Sequence, residues 1–223
     1  MVRLRWASEE TAGGTASALV SLSSDGALLR WGPWESAAGL FPSGLSGRHA
    51  AAKLQLQQQQ VGSPLDLGAA LLTLGSLGRR PAIAAFDLQR SGRHVALGCT
   101  NGALALFTSD LYAPSSCAAA PLLAAAWQAD APGAAVSHVR LSPACDLLLA
   151  AREDMSLEAH RTACAAGDAA PPAKTQLSSH VWSLAVATTL LAGKLPVACG
   201  LADGTVKVGA PLMGWPGRDT SPA

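Results

Sequence analysis

Along much of this chain, apolar residues alternate with other residues in short runs that end on turn-forming residues. Over 19–31, LVSLSSDGALLRW, two such runs flank Ser24-Asp25-Gly26. Leu19, Ser21 and Ser23 fall on one side of an extended strand and Val20, Leu22 and Ser24 on the other, the period of two that a β-strand imposes. Past the turn, Ala27, Leu29 and Trp31 alternate with Leu28 and Arg30. Asp-Gly between alternating runs predicts a β-hairpin closed by a tight primed turn, because glycine tolerates the positive φ such a turn demands. Both faces are largely apolar, so the hairpin is predicted to be covered on two sides, as in a sheet stacked between other sheets.

The pattern recurs. IAAFDLQRSGRHVALGCTNGALALF, residues 83–107, reads as a strand over 83–88, a Ser91-Gly92 turn, a strand over 94–99, a Thr100-Asn101-Gly102 turn and a strand over 103–107. HVWSLAVATTLLAGKLPVACGLADGTVKV, residues 180–208, gives strands over 181–186, 196–199 and 205–208, with Asp203-Gly204 at the tight turn. A weaker copy is VSHVRLSPACDLLLAAREDMSLEAH, residues 136–160, where Glu153-Asp154 replaces Asp-Gly. VRLRWA, residues 2–7, then supplies the first strand of the unit whose second and third strands are ALVSLS and ALLRW. The tight turns fall at Gly26, Gly102, Asp154 and Gly204. They lie farther apart than the ~40–45 residues of one propeller blade, which implies inserted loops.

The stretches between units are of low complexity. APSSCAAAPLLAAA (113–126) and RTACAAGDAAPPAKTQLSS (161–179) are rich in Ala, Pro and Ser and read as exposed loops, with a short helix around Leu122–Gln128 as one option. In AAAKLQLQQQQV (50–61), Leu54 and Leu56 alternate with Lys53, Gln55 and Gln57. That stretch is either the outer strand of a blade or a disordered Gln tract.

Composition narrows the function classes. The 223 residues carry a formal net charge of +1, which gives no electrostatic case for nucleic acid, a polyanion or a membrane surface. Only 14% of residues are charged, against an average near ~25%. Either the surface is rich in Ala, Ser and Gly, or part of it is covered by a partner. Cys99, Cys117, Cys145, Cys164 and Cys199 form no CxxC pair, which argues against a disulfide framework or a zinc site and for a reducing compartment. The N-terminal residues lack a signal-peptide core. The longest apolar stretch, Ala118 to Trp127, is far short of the ~20 residues a membrane span needs, so a soluble protein with no membrane insertion is expected.

No catalytic set emerges: there is no GxSxG, phosphate loop, HExxH or usefully spaced carboxylate pair. His138 and His180 stand where strands begin and are expected to be structural or exposed. The glycines of GLADG and SGRHVALG lack the strand-to-helix context of nucleotide binding. No catalytic residue, cofactor or metal is therefore assigned. Trp6, Trp31 and Trp182 lie in strands and are expected in the core. Trp34, Trp127 and Trp215 sit beside Pro or Ala-rich loops, where they are lids over a blade edge or candidate partner contacts.

The strand grammar, with Asp25-Gly26, Asn101-Gly102 and Asp203-Gly204 at one turn and Trp31 or Phe107 ending a third strand, resembles a WD40-type β-propeller. The Gly-His and Trp-Asp signatures are missing; Trp31 is followed by Gly32. The resemblance implies an all-β fold of four to five degenerate blades in a partial ring. Its units lie near 1–32, 81–110, 134–160 and 180–208 within a domain over 1–209, with insertions at 33–80, 111–133 and 161–179 and a disordered tail over 210–223. More narrowly, VRLRW, the 19–31 hairpin, the long insertion before FDLQRSGRHVALG and the VACGLADGTVKV ending are similar to the C-terminal propeller of dynein intermediate chains. The order and spacing best match the dynein of retrograde intraflagellar transport. The similarity covers under half of the chain. It implies a noncatalytic scaffold binding a motor heavy chain, light chains and another intermediate chain, in the cytoplasm, cytoskeleton and cilium. It also implies a chain that starts in mid-propeller without the light-chain-binding segment, leaving open edge strands. The alternatives are a generic WD40 interaction scaffold in another complex and a propeller hydrolase. The hydrolase needs convergent acidic or histidine residues, and Asp87, Asp146 and His180 do not share one position in their units.

Overall fold

The computed structural model describes residues 3–11, 14–23, 26–34, 65–66, 81–108, 122–127, 133–162, 171–189, 191 and 194–210. Among them the chain forms four antiparallel sheets and no helix. The first sheet holds β1 (Arg3–Thr11), β2 (Gly14–Leu22), β3 (Ala27–Trp34) and β4 (Leu65–Asp66). The second holds β5 (Ile83–Leu88), β6 (His94–Cys99), β7 (Leu104–Thr108) and β8 (Leu122–Trp127). The third holds β9 (Val136–Leu141), β10 (Leu147–Arg152), β11 (Ser156–Arg161) and β12 (Ala173–Gln176). The fourth holds β13 (Val181–Val186), β14 (Val197–Leu201) and β15 (Val206–Gly209). In each sheet the strands run in chain order, and the leading strands pack side by side: β1 on β5, β5 on β9, β9 on β13. Four sheets therefore fan around one axis, leading strands inward.

The last three sheets repeat atom for atom in their backbone bonding. The residue after the second strand donates its N–H to the carbonyl just before the first: Thr100 to Ala82 at 2.9 Å, Glu153 to Ala135 at 2.9 Å, Ala202 to His180 at 2.8 Å. In each, the second residue of the leading strand is a β-bulge, at Ala84, Ser137 and Trp182. A bulge re-aims one side chain and increases local twist, and here one stands at the same place in each of these three leading strands.

The tight turns differ from the primed type expected. Each hairpin closes with an N–H···O bond across three residues, Gly26 to Ser23, Gly102 to Cys99, Met155 to Arg152 and Gly204 to Leu201. Asn101 and Asp203 have ordinary negative φ, whereas Gly26, Gly102 and Gly204 have φ of 94, 84 and 83°. In the last three hairpins only the last loop residue is left-handed, the three-residue loop of a type I turn followed by a bulge. The Asn or Asp before it has a separate task. Its side-chain oxygen accepts the N–H two residues on, at Asn101–Ala103 (3.1 Å), Asp154–Ser156 (3.0 Å) and Asp203–Thr205 (2.9 Å). In the third sheet the left-handed position belongs to Met155 (φ 64°), one residue past the Asp154 expected to mark the turn.

Three apolar layers lie between the four sheets. Val20, Leu22 and Leu28 of the first sheet meet Phe86, Leu88, Val95, Leu97, Cys99 and Phe107 of the second. Ala85, Ala96, Leu104 and Leu106, from the other face of that second sheet, meet Val136, Val139, Leu141 and Leu148 of the third. Leu149, Ala151, Leu157 and Ala159 meet Val181, Leu184, Val197 and Leu201 of the fourth. The two-sided apolar pattern of the sequence is thus explained: each inner sheet contributes one face to each of two cores.

Two segments read as loops contain strands. LLAAAW at 122–127 pairs as β8 with β7, and 173–176 pairs as β12 with β11. Alanine favours a helix, but six residues behind Pro121 are too few to offset helix nucleation, whereas the edge of β7 offers ready backbone partners. Leu54 and Leu56 lie outside the described residues; β3 takes Leu65–Asp66 as its outer strand.

Gly102 and Gly204 separate backbone strain from crowding. A Cβ at Gly102 would lie 2.8 Å from Arg152 Nη1 and 3.0 Å from Gly133 Cα, while at Gly204 nothing lies within 4 Å. Both substitutions to Ala carry the left-handed penalty of ~1–2 kcal/mol. Gly102→Ala is expected to lower Tm several degrees further than Gly204→Ala, at ~2–4 °C per kcal/mol for a chain of this size. Thermal melts of the two variants followed by circular dichroism check this; equal melting would refute the crowding argument.

Candidate functional site

Among the described residues, Asp87 and Arg152 are buried charged groups that join sheets to one another. Asp87, 8% exposed on β5, accepts hydrogen bonds from Arg140 Nη1 (3.0 Å) and Arg5 Nε (3.2 Å) at Oδ1, and from the Leu141 N–H (2.9 Å) at Oδ2. Arg140 in turn donates through Nε to the Leu184 carbonyl at 2.8 Å. Arg5 lies on β1, Arg140 and Leu141 on β9, and Leu184 on β13. One polar seam therefore crosses all three sheet-to-sheet layers along the inner strands. The Arg5 guanidinium also stands over the Phe86 ring, 5.7 Å from its centroid. A buried carboxylate is tolerable only when paired and hydrogen-bonded, and both oxygens of Asp87 are engaged.

A second cluster lies between the second and third sheets. Arg152 donates through Nε to Glu158 Oε2 at 2.9 Å, and its Nη2 stands 2.8 Å from the same oxygen. Its Nη1 crosses to the Gly102 carbonyl at 2.7 Å and the Ala134 carbonyl at 3.2 Å. His160 Nε2 approaches Glu158 Oε2 at 3.2 Å, and Lys174 Nζ lies 3.4 Å from Oε1. The Trp127 ring tilts over His160 at 5.3 Å between centroids. Arg152, Glu158 and His160 are all buried. Burial raises the Glu158 pKa, but hydrogen bonds from His160 and Arg152 outweigh it and bring the group down to about 2. The carboxylate is therefore ionised near neutral pH, held as an acceptor between three cationic or ring groups.

The buried thiols stand apart from nucleophile chemistry. Burial pushes Cys99, Cys145 and Cys199 up to about 11, so each is a protonated, apolar filler at neutral pH. Among the described residues no group of three or more His, Cys, Asp and Glu is placed to hold a metal, and no helix is long and apolar enough to cross a membrane.

The tryptophans divide. Trp127 closes the second sheet at the end of β8, half-buried against the second apolar layer. Trp34 ends β3, paired with Ser17. Trp215 and Asp25 lie outside the described residues, as do the side chains of Trp6, Trp31 and Trp34. Trp182, expected in the core, is 75% exposed: it is the bulged residue of β13, which turns it away from the layer its neighbours Val181 and Leu184 fill. Val206 and Val208 on β15 and Leu122 and Leu123 on β8 are exposed as well. His138 is half-buried beside Ser137 Oγ, and His180 is exposed. Arg5, Arg140, Arg152 and Glu158 were not singled out from the sequence. One signal was available: Asp87 in IAAFDL and Arg140 in VSHVRL are charges at the same, fifth place of two leading strands.

No family model matches the chain, and no curated protein matches it. Among solved structures the fold is similar to the Myceliophteria thermophila Cps50 (Swd1) β-propeller domain, with a TM-score of 0.53 and 14% identity over 91% of this chain and 55% of that one. The chain thus spans about half the length of that solved chain. Four meandering antiparallel sheets fanned about an axis, with this likeness, define an all-β, WD40-like β-propeller fold present as a partial ring.

Two measurements test the polar seams. Asp87→Ala strands Arg140 in a partly buried site and is expected to cost ~3–5 kcal/mol, whereas Arg5→Ala, at the more exposed end, is expected to cost ~1 kcal/mol or less. Urea titrations of both variants give the comparison, and equal losses would dissolve the seam. Glu158 contributes by a depressed pKa. Its stabilisation is full above the usual 4.5 and is lost as pH falls from there toward about 2. In Glu158→Gln the stability lost across that acid interval is expected to shrink; an unchanged acid slope would contradict the assignment.

Proposed function

We propose that this chain acts by binding, as a noncatalytic WD40-like scaffold. The carrying observation is that the two buried carboxylates among the described residues are both engaged in structure: Asp87 by groups of the neighbouring sheets, and Glu158 by Arg152, which itself reaches the second sheet. What the arc offers outward is apolar sheet surface and strand edge, at Trp182, Val206, Val208, Leu122 and Leu123. Surface of that kind, poor in charge, suits an extended protein interface. No catalytic step is assigned to it. The hydrolase alternative requires acid and base groups converging on an opening, and Asp87, Asp146 and His180 stand on a leading strand, in a turn and ahead of a strand, respectively.

The narrower reading is a dynein intermediate-chain-like propeller. Supporting it are the VRLRW run before LVSLSSDGALLRW, the long insertion before FDLQRSGRHVALG, and the VACGLADGTVKV ending. On this reading the chain docks a motor heavy chain, alongside another intermediate chain, in the retrograde transport of a cilium, and works in the cytoplasm and cytoskeleton. Tagged and expressed in ciliated cells, the protein is expected to recover a dynein heavy chain and, through it, light chains, in amounts well above those of a tagged unrelated propeller. Recovery of neither refutes the dynein reading and leaves the generic scaffold.

A further inference from the structure

The formal net charge of +1 conceals a separation of charge along the strands of the last three sheets. Their turns between first and second strands share one end. The Gln89 side chain donates to the Pro143 carbonyl at 3.3 Å, which joins the turn over 89–93 to the turn over 142–146. Arg140 of β9 reaches the Leu184 carbonyl of β13, just ahead of the loop over 187–196. β11 ends here too, where the Thr162 N–H meets the Asp146 carbonyl at 3.0 Å. Arg90, Arg93, Arg161 and Lys194 all stand at this end and are exposed, and no side-chain hydrogen bond or ion pair engages any of them among the described residues. Asp146 is the acidic residue beside them, and Ser142 Oγ donates to its carboxylate.

The hairpin turns between second and third strands form the opposite end. They carry Glu153, Asp154 and Asp203, all exposed, and no arginine or lysine. Hydrogen bonds from Thr205 and Ser178 lower the Asp203 pKa, so that carboxylate is ionised at neutral pH. Lys174 of β12 lies 3.7 Å from Asp154 Oδ2 and offsets part of the charge. Between the two ends the buried charges balance internally, Asp87 against Arg140 and Glu158 against Arg152. Each end therefore keeps its own sign.

On the scaffold reading above, we propose that the basic end docks an acidic segment of a protein partner, one whose carboxylates are interspersed with apolar residues. Charge complementarity supplies the sign, and it acts at long range on the encounter as well as in the contact. The apolar part comes from side chains at the same end. Leu191 is 72% exposed, and it exchanges backbone hydrogen bonds of 2.8 and 3.0 Å with Lys194, so one tight loop presents a leucine and an ammonium together. Leu122, 68% exposed, opens β8 opposite Thr108 at the outer rim of this end, and Pro143 and Ala144 are exposed on the turn between. A single-stranded nucleic acid draws on aromatic rings for base stacking, and among the described residues no exposed aromatic side chain stands here. An anionic membrane draws on basic residues clustered along one segment, whereas these are spread over two turns and a strand end with Asp146 among them.

Fluorescence anisotropy on the purified chain tests it, with a labelled peptide of glutamate pairs spaced by single leucines as the probe and its lysine-for-glutamate counterpart as the control. Only the glutamate peptide is expected to bind, with an affinity that falls ~10-fold or more as salt is raised from about 50 to about 500 mM. Reversing two charges together in Arg90→Glu/Arg93→Glu is expected to weaken binding ~10-fold, and Arg161→Glu or Lys194→Glu ~3-fold each, with the β-sheet circular dichroism intact. Glu153→Lys/Asp203→Lys, a strand length away and beyond the ~10 Å screening distance at 0.1 M salt, is expected to leave the affinity unchanged. Absence of binding overturns the proposal, and so does binding that the reversals at the basic end do not weaken. Tighter binding of a thymidine oligonucleotide, or of vesicles containing phosphatidylserine, through the same residues overturns it in favour of nucleic acid or membrane. A chain that recovers partners from cells yet binds no glutamate peptide refutes this proposal and leaves the scaffold reading standing.

Discussion

A β-sheet that is apolar on both faces has no stable exposure to water, and that constraint orders everything else in this chain. Val95, Leu97 and Cys99 of β6 enter one core while Ala96, between them, enters the next. Neither core is complete without a neighbouring sheet. Stability is therefore distributed over successive contacts, as in other repeat architectures, and no single sheet is a stable unit by itself. The strand period of two makes this arrangement sharp: a one-residue slip in β6 exchanges the residues of two cores at once.

Apolar contact is not directional, so it cannot by itself fix how one sheet is rotated against the next. The two polar clusters do that. Asp87 takes the Leu141 N–H near the end of β9 as well as two guanidinium groups, which sets the height of β9 relative to β5. Arg152 reaches from β10 to the Gly102 carbonyl, tying the third sheet to a turn of the second. That turn exists only because Gly102 is left-handed, so backbone conformation in one sheet and ionic pairing in the next are a single constraint. Glu158 completes it by holding Arg152, and is held in turn by His160 under the Trp127 ring.

The hairpins were legible because their signals are local. Alternation over 83–88, 94–99 and 181–186 fixes strands without reference to the rest of the chain, and Gly before a new run marks a left-handed residue. What failed to show locally was decided across sheets. Met155 and Cys145 hold positive φ (64 and 58°) where other units use glycine, and nothing in REDMS or SPACD announces it; the surrounding ladder imposes it. Alanine-rich β8 and polar β12 become strands only because an edge is available beside them. Trp182 looked like core by residue type, but the bulge that every leading strand of the last three sheets carries decides its direction. Pairing of Asp87 with Arg140 joins residues far apart in sequence, and of the pair only Asp87 was weighed, as a candidate acid.

How the charged groups are used bears on what the molecule does. A site for acid–base chemistry keeps a titratable group available to substrate, near the working pH. Here Glu158 is drawn far below that range by the groups that bind it, and the buried thiols are driven far above it. The thiol shifts follow from burial between sheets, and that of Glu158 from Arg152 and His160 beside it. The same packing places Trp182 and the β15 valines, Val206 and Val208, on an exposed sheet face.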